Sequence, residues 1–144
     1  MSAIIDQAIR KSPLFKDLNE QWTKRLTRAA SVHPFEVGEV IIEEGAEVTS
    51  LYIVLSGEVR VWSRIGERVV ELETLGAGAY LGEVSLLSGK KATASVEALS
   101  ENVGVLAIGR DILSELLAEN SELRRVLEDT TMQRAKDTIG KGLS

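Results

Sequence analysis

The residues with the most chemical potential lie together in Tyr80–Ala98, YLGEVSLLSGKKATASVEA. Gly82 and Glu83 end a β-rich run, Val84 to Leu87 spell one helical turn, and Ala92 to Val96 start a strand. A loop of this kind presents free backbone N–H groups at a short helix N-terminus, which suits an anion. Glu83, an acceptor-only side chain when ionised, stands beside it, placed to take hydrogen bonds from sugar hydroxyls.

Other reactive chemistry has little to work with. The chain holds one histidine, His33, just before Pro34, and no cysteine. Neither a three-histidine metal site nor a histidine-paired nucleophile can be assembled from that set. Glu43 with Glu44, and Glu71 with Glu73, are the close carboxylate pairs. Glu71 and Glu73 share a face of an expected strand, but no pocket or basic partner is implied, so acid–base catalysis has no support. GxSxG, HExxH and P-loop patterns are all missing. The expectation is a protein that is not an enzyme and binds no metal.

The elements that must hold the Gly82 loop can be read from composition and period. At 144 residues, 44% hydrophobic and 27% charged, the chain is expected to form one domain with a proper core. A net charge of −5 argues against broad nucleic-acid binding. Lys24, Arg25 and Arg28 read as a solvated helix face. No apolar run approaches the roughly 18 residues of a membrane span, and MSAIIDQAIRKSP is not patterned as a secretory signal. With no cysteines to oxidise, a cytoplasmic location is expected.

The first thirty residues are predicted helical. Ala3 to Arg10 form a short helix stopped by Pro13, and Asn19 caps a second helix carrying Trp22, Leu26 and Ala29 or Ala30 on one face. From Val32, short β-rich runs alternate with glycines at 38, 45, 57, 66, 76 and 78. Leu51, Ile53 and Leu55 share one face of a half-buried strand, as do Val59 and Val61. Ser95–Ala98 and Val103–Ile108 close the β section. After Gly109 the helical period returns. Asp111 is the expected cap for Ile112, Leu113, Leu116 and Leu117, and Ser121 for Leu123, Val126, Leu127 and Thr130, with a weaker pattern through Met132, Ala135 and Ile139. The predicted class is α+β: an antiparallel jelly-roll barrel over 31–110, with a cassette at 80–96, between helices at 1–30 and 111–144.

The order of these motifs resembles the cyclic-nucleotide-binding domain family, the sensor fold of the catabolite activator protein and of protein kinase A regulatory subunits. SPLFKDL resembles the family's N-terminal helical segment, FEVGEVIIEEGAEVTSLYIVLSGEVRV its first half-barrel, and LGAGAYLGEVSLLSG its phosphate-binding cassette. The resemblance implies a cyclic AMP or cyclic GMP ligand and no other cofactor. It gives Gly82 the close backbone approach, Glu83 the ribose 2′-hydroxyl, and Ser85 a backbone N–H to the cyclic phosphate. Thr93 would supply a further N–H or hydroxyl. The family's cassette carries an arginine where this chain has Ala92. Losing one partner of such a buried charge pair typically costs about 2–5 kcal/mol. Lys91, next to Lys90, is the candidate replacement cation. The final helix would cap the ligand's base or pair with a twin, which implies a protein partner or homodimer through the C-terminal helices. The residues after Glu119 are too few for a DNA-reading domain, so no DNA binding by this chain is expected, nor any membrane contact. Two functions stay open: a ligand-sensing regulatory domain, or a degenerate cassette kept as an interaction or dimerisation module.

Overall fold

The computed structural model describes residues 2–129. Two helices open the chain, α1 (Ser2–Lys11) and α2 (Glu20–Ala29). Asn19 caps α2 as its chemistry predicts, its side-chain oxygen accepting from the Trp22 N–H at 2.8 Å. The solvated-face reading of the basic residues holds for Lys24 and Arg28. Arg25 is instead engaged, lying 4.1 Å over the Trp22 ring and pairing with Glu115 at 2.6 Å.

The β section comprises β1 (Ser31–Phe35), β2 (Val40–Ile42), β3 (Ser50–Ser56), β4 (Val59–Ile65), β5 (Arg68–Leu75) and β6 (Tyr80–Leu81). The short helix α3 (Glu83–Ser88) follows, then β7 (Ser95–Ala98) and β8 (Val103–Gly109). They form two antiparallel four-stranded sheets, ordered β1-β8-β3-β6 and β2-β7-β4-β5, in a jelly-roll arrangement. Pro34 lacks a backbone donor, and β1 sits at a sheet edge, where that deficit is tolerated. The strand expected from Ala92 begins only at Ser95.

The first sheet separates two apolar clusters. Leu51 and Ile53 of β3, with Leu106 and Ile108 of β8, face the helices and pack with Phe15, Trp22, Leu26, Leu113 and Leu116. On the other side, Val54, Val103 and Val105 meet Val59, Val96 and Ala98 from the second sheet. The period-2 alternation of β3 and β8 produces this division. Leu86 of α3 packs against both clusters.

The chain continues into α4 (Arg110–Glu119) and a helix from residue 121 through 129. Two caps differ from expectation. Gly109, extended and with no side-chain bond, precedes α4, and Asp111 lies inside the first turn, where its charge favours the helix dipole. Asn120, not Ser121, joins these two helices. Its Nδ2 donates to the Leu116 carbonyl at 2.8 Å, and its own carbonyl accepts from Arg124 N–H at 3.1 Å. Leu123 and Leu127 are buried in the helical cluster, so they pack within the chain, while Val126 is 43% exposed. Thr130, Met132, Ala135 and Ile139 lie outside the described residues.

Candidate ligand cavity

At one end of the space between the sheets the packing opens into a cavity of about 80 Å³. That is several times the roughly 10–15 Å³ one water requires, so it is more than a packing void. Ile42, Val48, Val61, Leu72, Leu81 and Val96 supply apolar walls. The polar lining comes from Glu73, Glu83, Ser85 and Thr93.

Gly82 shapes the cavity by its backbone. Its φ is +91°, a conformation side-chain-bearing residues rarely adopt. A Cβ there would meet the Ser50 carbonyl oxygen at 2.9 Å and Val48 Cγ1 at 3.1 Å. The turn at Gly82 starts α3, whose first closing bond runs from Leu86 N–H to the Gly82 carbonyl at 3.1 Å. This places Glu83, 1% exposed, and Ser85, 4% exposed, on the cavity wall. Gly89, also in the left-handed region, ends the helix by donating its N–H to the Ser85 carbonyl at 2.9 Å.

The opposite arm of the cassette is held from outside. Ala92 donates its N–H to the Ala46 carbonyl and accepts from Gly45 N–H, both at 2.8 Å. Its methyl group faces inward, 7% exposed, on the cavity wall. One residue on, the Thr93 carbonyl accepts from Ser63 Oγ at 3.1 Å. Ser63 Oγ also lies 3.2 Å from Glu44 Oε2, and Glu44 Oε1 accepts from the Arg64 N–H at 2.9 Å. Glu44 is therefore a fastening for the loop; its carboxylate is turned to Ser63 and Arg64.

Five of the six residues singled out by sequence, Gly82, Glu83, Ser85, Ala92 and Thr93, line this one cavity. The sixth, Lys91, is exposed and absent from its wall, as is Lys90. The loop turns the Ala92 side chain inward, and the neighbouring lysines stay in solvent.

Sequence reasoning missed Glu73. It treated Glu71 and Glu73 as sharing a strand face with no basic partner and no pocket. A bulge separates them: Val61 pairs with Glu73 but Trp62 pairs with Glu71, leaving Leu72 extra. Glu71 consequently bonds Arg60 at 2.9 Å on the surface, while Leu72 and Glu73 both line the cavity. His33 is exposed, 2.9 Å from Ser31 Oγ. Among the described residues no group of three or more His, Cys, Asp or Glu is placed to hold a metal ion. No described helix is long and apolar enough to cross a membrane.

Two antiparallel sheets, a short helix opening at a left-handed glycine, and a buried glutamate on the wall of the cavity make up the frame of this site. Residues 32–120 match the cyclic nucleotide-binding domain family, and the chain belongs to it. Over 119 residues, 81% of its length, the chain is 30% identical to the cGMP-dependent protein kinase isozyme 1 of Drosophila melanogaster. It spans 16% of the length of that kinase. Among solved structures it is similar to the regulatory domain of Toxoplasma gondii protein kinase A with cAMP. That likeness has a TM-score of 0.77 and 26% identity, covering 90% of this chain and 49% of the other. It is also similar to the regulatory subunit of a cAMP-independent protein kinase A from Trypanosoma brucei. There the TM-score is 0.84 at 26% identity, covering 99% of this chain and 52% of the other.

Proposed function

We propose that this chain is a non-catalytic sensor domain. A small molecule built on the cyclic-nucleotide scaffold enters the cavity at Gly82, Glu83, Ser85, Ala92 and Thr93. Its binding changes how the C-terminal helices pack, and a partner protein reads that change. The observation that carries this reading is the buried Glu83, 1% exposed yet on the wall of an open cavity. A carboxylate on that wall is an acceptor, and it suits the hydroxyl donors of a sugar. Leu86 gives the response a route, since α3 packs on the cavity cluster and on the helical cluster together. Ligand can shift the helices only through different affinity for their two arrangements. One structural neighbour is bound to cAMP and another belongs to a cAMP-independent kinase, so family membership alone does not choose the ligand.

Calorimetric titration with cyclic AMP and cyclic GMP, run on the native chain and on Ala92→Arg, tests the reading. Binding by the native chain supports a sensor and makes Thr93 and Lys91 the next residues to replace. Binding by Ala92→Arg alone supports a competent pocket that lacks only its charge clamp. Heat from neither protein would favour the interaction-module alternative.

A further inference from the structure

We propose that Thr93 accepts a phosphoryl group from a protein kinase that selects basic residues just ahead of its target. The phosphate then closes the cavity to an anionic ligand, a consequence that rests on the sensor reading above.

Lys90 and Lys91 stand in solvent and take no part in the cavity wall, so their charges are open to a partner. Kinases sort substrates by charge pattern, and two lysines shortly before a threonine suit an acidic cleft. Among the described residues, five serines or threonines have a lysine or arginine within the three preceding positions: Ser12, Thr27, Ser31, Ser63 and Thr93. Phosphoryl transfer needs a hydroxyl that can be brought into line with the phosphate, so burial and existing bonds count against a site. Ser12 and Ser63 are buried, 3% and 4% exposed. Thr27 lies within α2, its Oγ1 donating to the Thr23 carbonyl at 2.8 Å. Ser31 Oγ is engaged with His33 at 2.9 Å, and its upstream Arg28 is held in the last turn of α2. Thr93 differs on every count. It is exposed, in the loop between α3 and β7, and its two lysines share that loop. Its carbonyl bonds Ser63, but its hydroxyl has no partner among the described residues.

In the transfer, Thr93 Oγ1 attacks the γ-phosphorus of a nucleoside triphosphate carried by the kinase. The bond to the diphosphate breaks, and the hydroxyl proton passes to the kinase's catalytic base. The new group carries about −1.5 to −2 charges at neutral pH. Because Thr93 is also part of the cavity wall, that group meets any second anion with both charge and bulk.

The folded native chain is incubated with ATP and a kinase selective for basic residues, and the phosphate is mapped by tandem mass spectrometry. Thr93→Val, Thr93→Ser and a double variant, Lys90→Gln with Lys91→Gln, run in parallel, with circular dichroism confirming each fold. Thr93 is expected to carry most of the phosphate, Thr93→Ser to keep it and Thr93→Val to lose it. The double variant should be phosphorylated at least about tenfold more slowly. No phosphate at Thr93 in the folded chain, or an unchanged rate in the double variant, would overturn the acceptor assignment. Cyclic AMP is then titrated by calorimetry into the phosphorylated and unphosphorylated chains. The phosphorylated chain is expected to bind at least about fivefold more weakly. Equal affinity would overturn the closing of the cavity and leave the sensor reading intact. Heat from neither chain would remove cyclic AMP as the ligand of this chain and the closing with it, while the phosphate map still decides the acceptor.

Discussion

The Arg110 guanidinium donates to the Val48 carbonyl at 2.6 Å, tying the first residue of α4 to a residue whose side chain walls the cavity. The Arg110 main-chain N–H adds a bond to the next carbonyl, that of Thr49, at 2.9 Å. Val48 also packs where any side chain at position 82 would have to go. Cavity wall, cassette glycine and C-terminal helix are thus joined within a few bonds.

Arg110→Ala keeps the main-chain bond and removes the side-chain one. Because Arg110 is largely exposed, the expected loss is modest, about 1 kcal/mol by urea unfolding. Amide exchange over residues 110–119 should accelerate more than exchange in β3 or β8. Uniform acceleration across the chain would show that the contact is not local to α4.

Gly82→Ala should be costly for its size. The left-handed φ of +91° and the 2.9 Å approach to the Ser50 carbonyl oxygen both oppose a Cβ. A loss of about 1–3 kcal/mol is expected from backbone strain alone, read from the urea midpoint. The same exchange at Gly76, where nothing lies within 4 Å and φ is ordinary, should be close to neutral.

Ser63→Ala tests the outer fastening of the cassette. The hydroxyl contacts both the Thr93 carbonyl and Glu44, and the residue is 4% exposed. Removing it should cost about 1 kcal/mol and raise amide exchange in residues 90–94. If those amides exchange as before, the Gly45–Ala92 bridge holds the loop by itself.

Acid should release the junction between α1 and α2. Arg10 bonds Asp6 at 2.8 Å and grips Glu20, and that hydrogen bond holds the Glu20 carboxyl below its usual range. A depressed folded-state pKa contributes stability above the unfolded value of about 4.3, and that contribution fades as pH falls through the folded value. Glu20→Gln should therefore lower Tm slightly at neutral pH and make no difference in strong acid. Both side chains are exposed to solvent, so added salt should shrink the neutral-pH difference.

Most of the architecture was legible because it rests on local rules. The Asn19 cap, the alternation of Leu51, Ile53 and Leu55, and the glycine-punctuated strands each follow from a few neighbouring residues. The cassette was legible for the same reason: Gly82, Glu83 and Ser85 are set by one turn. Glu73 was not, since a bulge is one residue of mismatch between two strands and leaves no mark on the strand that carries it. Asn120 was overlooked in favour of Ser121 because two helices sharing one junction residue look, in sequence, like a single weak pattern. The inward turn of Ala92 depends on bonds to Gly45 and Ala46, nearly fifty residues away, which no local reading supplies.

The position of β8 between β1 and β3 has an architectural consequence. The helix leading into the first strand and the helix leaving the last lie side by side, clasped by Arg25 and Glu115 at 2.6 Å. A displacement of either helix is therefore carried to the other through that pair, without passing through the sheets.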